Sequence, residues 1–132
     1  MTQEDKELLL KDLCARLPYG VIFKDEFDEN LQEIHYIKNE DIFSKNYSHL
    51  PYWIETIKPY LRPMSSMTEE ERNLIRKYCD EHDRLIYDIG VSGQAHSKNI
   101  VDWLNAHHFD YRNLIEKGLA IEVTENNNPY KE

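Results

Sequence analysis

Two prolines and a helix start, packed into fifteen residues, divide this chain more firmly than anything else in it. In the stretch Ile57 to Asp83, IKPYLRPMSSMTEEERNLIRKYCDEHD, Pro59 and Pro63 each fix a φ angle and remove an amide donor. The spacing predicts that no regular element runs through them. Thr68 and Glu71 then have the S/T-x-x-E spacing in which a hydroxyl and a carboxylate each cap the other's backbone amide. Glu69, Glu70 and Glu71 place negative charge on the positive end of the helix dipole. The stretch reads as a joint between two kinds of structure, and none of its residues has to be chemical.

Before the joint, Thr2 can cap a first helix, with Glu4 and Asp5 in its opening turn. Leu9, Leu10, Leu13, Cys14 and Leu17 recur at three- and four-residue steps, and Pro18 and Gly20 end the element. Val21, Ile22 and Phe23 form a short β-branched and aromatic run. Asp25, Glu26, Asp28, Glu29 and Asn30 read as a solvated turn. LQEIHYIK, residues 31 to 38, is a second strand with imperfect alternation; Ile42 and Phe43 can start a third, and KNYSHLPY is a loop closed by Pro51. The short connections favour a small antiparallel sheet of three or four strands between Val21 and Tyr60.

After the joint, Leu74, Ile75, Tyr78 and Cys79 form one stripe of the helix opened by Thr68. Leu85, Ile86 and Tyr87 either extend it or form a strand, and Gly90 and Gly93 make a loop. Ser97 can cap a third helix with Ile100, Val101 and Leu104 on one face and Trp103 at its edge. Asp110 then specifies a short helix, with a staple from Phe109 to Leu114, a left-handed stop at Gly118 and Leu119 packing back on Leu114. The whole is an α+β single domain over residues 1–124: an N-terminal helix, the small mostly antiparallel sheet and a C-terminal helical half. Ala120 to Val123 can add an edge strand, and ENNNPYKE is a flexible tail over residues 125–132.

Composition limits what such a domain can do. A chain of 132 residues with 40% hydrophobic side chains affords one core, burying roughly two-thirds of its unfolded surface. No apolar run approaches the roughly 20 residues of a membrane span, and the N-terminus has acids where a secretion signal carries bases. The expected location is the cytoplasm. Cys14 and Cys79, too few for a disulfide framework, read as small buried hydrophobes. A net charge of −9 repels phosphate backbones and argues against direct nucleic-acid binding.

Candidate sites follow from residue type and spacing. His107 and His108 are adjacent, so on a helix they diverge by about 100° and do not share a metal easily; the six histidines match no metal-ligand spacing. We expect neither metal nor cofactor. At the C-terminus of the third helix these two side chains are instead placed for the dipole to favour a protonated imidazole. Ser92, Gly93, Ser97 and Lys98 form a polar loop opening a helix, a reasonable anion site although it lacks phosphate-loop spacing. Tyr47, Tyr52, Trp53 and Tyr60 cluster near the joint, as side chains suited to protein contact or to plugging a small irregular core. No residue is assigned a catalytic role.

IKPYLRPMSSMTEEE, VDWLNAHHFDYRNLIEKGLAIEV and LLLKDLCARLPYGV together resemble a family of small, functionally uncharacterised proteins encoded by anaerobic gut bacteria and by their phages and conjugative elements. The resemblance implies a shared scaffold, variable segments near residues 24 to 52 and 80 to 98, and a role on a mobile element. It brings no activity. The reading favoured here is a non-catalytic protein-binding or regulatory module of such an element, with another protein as partner. Two others stand beside it: an acidic inhibitor imitating nucleic acid, which needs Asp25, Glu26, Asp28, Glu29 and Glu69 to Glu71 on one face, and a small nucleotide-derivative binder or enzyme using residues 92–99.

Overall fold

The computed structural model describes residues 1–46, 49–78 and 98–130. Helix α1, Gln3–Arg16, opens on the Thr2 cap: the Thr2 hydroxyl accepts the Asp5 N–H at 3.0 Å while the Asp5 carboxylate faces the Thr2 amide at 3.5 Å. A 3-10 turn, Leu17–Tyr19, follows and Gly20 closes it at φ 70°. The buried stripe of α1 is Leu9, Asp12, Leu13 and Arg16, one residue round from the all-apolar stripe the sequence suggested. Cys14 consequently faces solvent, a correction to its reading as a buried hydrophobe.

The sheet is larger than expected. Strands β1 (Ile22–Asp25), β2 (Asp28–Lys38), β3 (Asp41–Ser44), β4 (Pro51–Trp53), β5 (Ile57–Pro63), β6 (Phe109–Asp110) and β7 (Ile121–Glu122) make one seven-stranded sheet among the described residues. Its order is β4-β3-β2-β1-β5-β6, with β7 also on β5. The three- or four-strand expectation fails because the joint itself is a strand and because two short strands from the C-terminal half add to it in parallel. The fold is α+β, as expected.

Both prolines lie within β5, and the register explains why. Phe23 pairs with Pro59 and Lys24 with Lys58. The Glu26 N–H donates to the Thr56 carbonyl at 2.8 Å, so hydrogen-bonded pairs fall at Glu26/Thr56 and Lys24/Lys58, and Phe23/Pro59 is a non-bonded pair. Pro59 therefore has no donor to give on the side of β1. Pro63 ends the strand, where the loss is tolerated.

Helix α2, Glu69–Tyr78, begins with the capping box the sequence specified: the Thr68 hydroxyl accepts the Glu71 N–H at 3.1 Å and the Glu71 carboxylate accepts the Thr68 N–H at 3.0 Å. Ile75 is buried, whereas Leu74 is exposed rather than part of the covered stripe. Helix α3 is Lys98–Ala106 and buries Ile100 and Leu104. The helix expected after Asp110 is absent, since residues 111 to 120 are turns and bends with no helical run. The Asp110 carboxylate does accept the Leu114 and Ile115 N–H groups at 2.8 and 2.9 Å, and Gly118 is left-handed at φ 75°. Asn113 at φ 61° interrupts the helix, so the cap holds a single turn.

Two apolar clusters result. Leu9, Leu13, Phe23, Ile34, Ile42, Ile54, Leu61 and Leu114 build the larger one between α1 and the sheet. Met67, Ile75, Ile100, Leu104 and Phe109 build the smaller one beneath α2 and α3. Phe109 and Leu114 fall in different clusters, so the expected staple is not made. None of the described helices is long and apolar enough to cross a membrane.

Candidate functional site

Residues opposite one another in an antiparallel pair share a face. Ile37, Ile42 and Tyr52 are in register across β2, β3 and β4 and pack on the larger core. The alternate register puts Tyr36, Phe43 and Pro51 in a row on the other face, with Lys38, Asp41 and Trp53 in the next. Tyr36 and Phe43 stack with ring centroids 4.4 Å apart and planes at 5°. Trp53 is 63% exposed, Leu50 56% and Tyr36 38%. Apolar side chains thus stand on the solvent face of the sheet at β4, its last strand.

The four aromatics singled out from sequence separate. Tyr60 is buried at 8% exposure and belongs to the core. Tyr52 is half-buried, packs edge-on against Phe23 at 5.2 Å and donates its hydroxyl to Asp28 at 2.8 Å. Trp53 is the one on the surface, and Tyr47 lies outside the described residues. Asp28, Leu50, Pro51 and Tyr52 line a shallow cavity of about 280 Å³ beside this row. The Asn30 amide and then the Tyr52 hydroxyl hold the Asp28 carboxyl below its ordinary range. Tyr36, Phe43 and Leu50 were missed because singly they look like ordinary strand or loop residues; only the register aligns them.

The acids proposed as an imitation of nucleic acid are in part committed inside the molecule. Asp25 is buried, taking the Thr56 hydroxyl at 2.5 Å and the Phe27 N–H at 2.9 Å. Asp28 is bound to Tyr52, and Glu71 to Arg62. Ser92, Gly93 and Ser97 of the suggested anion loop, like Cys79, lie outside the described residues, and Lys98 is the first residue of α3. Among the described residues no group of three or more His, Cys, Asp or Glu side chains is placed to hold a metal ion.

A second polar constellation escaped the sequence altogether. Asp12 and Arg16, both fully buried, pair at 2.7 and 3.1 Å; Arg16 also donates to the Phe109 carbonyl at 2.6 Å. Arg112 reaches the same carboxylate at 2.9 Å from the far end of the chain. The available signal was the acid–base pair at i, i+4 on the stripe with Leu9 and Leu13. Beside this cluster the histidine expectation is reversed: burial, not the helix dipole, dominates. It holds His107 below the usual imidazole value and takes His108 down to about 4, the Arg16 charge adding to the latter. His108 is also left-handed, at φ 64°, so it has left the helix.

No family model, no curated protein and no solved structure matches this chain.

Proposed function

We propose that the chain is a non-catalytic protein-binding module of a mobile genetic element, and that its contact surface is the outer face of β2, β3 and β4. The observation that carries this reading is the in-register row Tyr36, Phe43 and Pro51 with exposed Trp53 beside it. Large rings on a rigid sheet offer contact area at low entropic cost, and such side chains dominate the energetics of protein interfaces. Lys38 and Asp41 in the adjoining row supply a polar margin of both signs. The sequence points to two segments, around residues 24 to 52 and 84 to 98; the aromatic row falls within and just beyond the first, and most of the second lies outside the described residues.

The test is comparative capture from the native host. A protein retained by the unaltered chain is purified, and its affinity is measured for the unaltered chain, for Trp53→Glu and for Lys11→Glu on the exposed side of α1. The reading requires at least a tenfold loss for Trp53→Glu and none for Lys11→Glu. Equal binding by all three places the interface elsewhere.

A further inference from the structure

The segment after β7 runs back to the sheet and inserts one side chain into it. Asn127 turns the segment, its side-chain oxygen accepting the Thr124 hydroxyl at 2.8 Å and its amide donating to the Glu122 carbonyl at 3.0 Å. Asn128 then accepts the Tyr130 N–H at 2.9 Å. The Tyr130 hydroxyl accepts the Ile22 N–H at 2.9 Å and donates to the Tyr60 carbonyl at 2.8 Å, with the Ile22 carbonyl further away at 3.4 Å. Its ring lies on His108, centroids 3.6 Å apart and planes at 9°.

The position of that hydroxyl is specific. The β1 to β5 register runs Asp25/Ile57, Lys24/Lys58, Phe23/Pro59, so the next pair would be Ile22 opposite Tyr60. That pair falls at a hydrogen-bonded position, where Ile22 and Tyr60 would normally bond each other directly. The phenol oxygen replaces the rung, receiving from one strand and giving to the other, as a bridging water does. Burial pushes the Tyr130 phenol well above its ordinary pKa, so the proton it donates stays in place. Around the slot, His108 Nδ1 and Arg16 Nη1 are buried and have no hydrogen-bond partner among the described residues. An occupant lacking a hydroxyl would leave strand dipoles unpaired beside them, at a cost.

We propose that the slot between Ile22 and Tyr60, walled by His108, is a recognition site for a para-substituted phenol, and that the chain fills it with its own Tyr130. One backbone donor, one backbone acceptor and one flat ring read the three features that distinguish tyrosine from phenylalanine and from an aliphatic side chain. The attachment is a short segment held by the Asn127 and Asn128 side chains, so the tethered Tyr130 outcompetes a free para-substituted phenol, which enters only where Tyr130 has been removed. This site uses β1, β5 and His108 and does not rest on the aromatic face of β2, β3 and β4.

The test uses Tyr130→Gly in the full chain, with p-cresol as the probe and toluene at equal concentration as the control. Saturating p-cresol raises the Tm of Tyr130→Gly by roughly 4 °C and leaves the unaltered chain unchanged, and toluene has no effect on either. No shift with p-cresol, as when Ile22 and Tyr60 close on each other, overturns the proposal, and so does an equal shift with toluene. If Tyr130→Gly does not fold, Tyr130→Phe decides: it keeps the ring and loses the hydroxyl, so the Ile22 amide exchanges about tenfold faster than in the unaltered chain. Unchanged Ile22 exchange overturns the proposal.

Discussion

Arg62 and Glu71 meet in a two-pronged ion pair, with Nη1 to Oε2 and Nη2 to Oε1 both at 2.7 Å. Arg62 stands on β5 and Glu71 is the third residue of α2, so the pair fixes the helix start to the strand the joint became. The same arginine lies 4.1 Å over the Phe109 ring and donates to the Ser66 carbonyl at 3.2 Å. Its side chain is 22% exposed and that of Glu71 17%, intermediate between a surface pair and a buried one. Arg62→Ala should cost about 2 kcal/mol in urea unfolding. Arg62→Lys should recover less than half of that, because a lysine cannot make both prongs.

The Arg62 bonds hold the Glu71 carboxyl down to about 2, against an ordinary 4.5. A depressed acid contributes stability that is complete above its unfolded pKa and is lost as the pH falls through the folded one. The loss should therefore run from about pH 4.5 to about pH 2 and amount to on the order of 2 kcal/mol for a partly screened pair. Glu71→Gln should flatten that limb of the stability-against-pH curve while lowering stability at pH 7.

His108 acts in a different window. Burial, then the charges of Arg16, His107 and Arg62, take its pKa from 6.5 to about 4. Its neutral form is the one that folds, so between those values the unfolded chain holds more protons and stability rises with pH. Acidification from pH 6.5 to about pH 4 should thus cost up to about 3 kcal/mol, and no more from this group below that. His108→Asn suits the left-handed backbone and does not titrate, so it should remove the slope in this window only. Urea midpoints at half-unit pH steps measure both limbs.

Local codes were legible wherever a residue's neighbours in sequence are also its partners. Thr2, Thr68 with Glu71, and Gly20 are of this kind, and each does what its spacing says; Gly118 is left-handed as expected but closes a turn rather than a helix. Legibility stopped where partners come from elsewhere in the chain. Pro59 looked like a strand breaker because its tolerance depends on Phe23, thirty-six residues earlier, falling at a non-bonded position. β6 has two residues and no periodicity of its own, and it is a strand because β5 offers an edge, whereas the edge strand expected over residues 120 to 123 is present as β7. The aromatic row needed the register across three strands, and Arg112 needed a partner at a separation of 100.

Asp110 separates a good cap from a good helix. Its carboxylate holds the Leu114 and Ile115 amides although only one turn follows, so the bonds stabilise the turn that delivers Leu114 and Leu119 to the larger core. Asp110→Ala should cost about 1 to 2 kcal/mol by leaving buried amides unpaired, with Asp110→Asn intermediate. Gly118→Ala meets nothing within 4 Å among the described residues, so its cost should be the backbone term alone, about 1 kcal/mol for a left-handed alanine.

The strongest single effect should come from Asp12. One fully buried carboxylate faces Arg16, also fully buried, and the half-buried Arg112. Removing it leaves two guanidinium groups together, one of them with no access to water. Asp12→Ala should therefore cost about 3 to 5 kcal/mol, the range for an abandoned buried charge, and Asp12→Asn only slightly less, because the lost charge matters more than the lost shape. Arg112→Ala should cost about 1 kcal/mol or less, since Arg112 is partly solvated and the Asp12 to Arg16 pair survives. The decisive variant is Asp12→Leu with Arg16→Met. Taking out both buried charges should restore much of what Asp12→Ala loses, leaving the Phe109 carbonyl as the main unpaired group. A double variant as unstable as the sum of its single changes would show that Asp12 and Arg16 are not coupled.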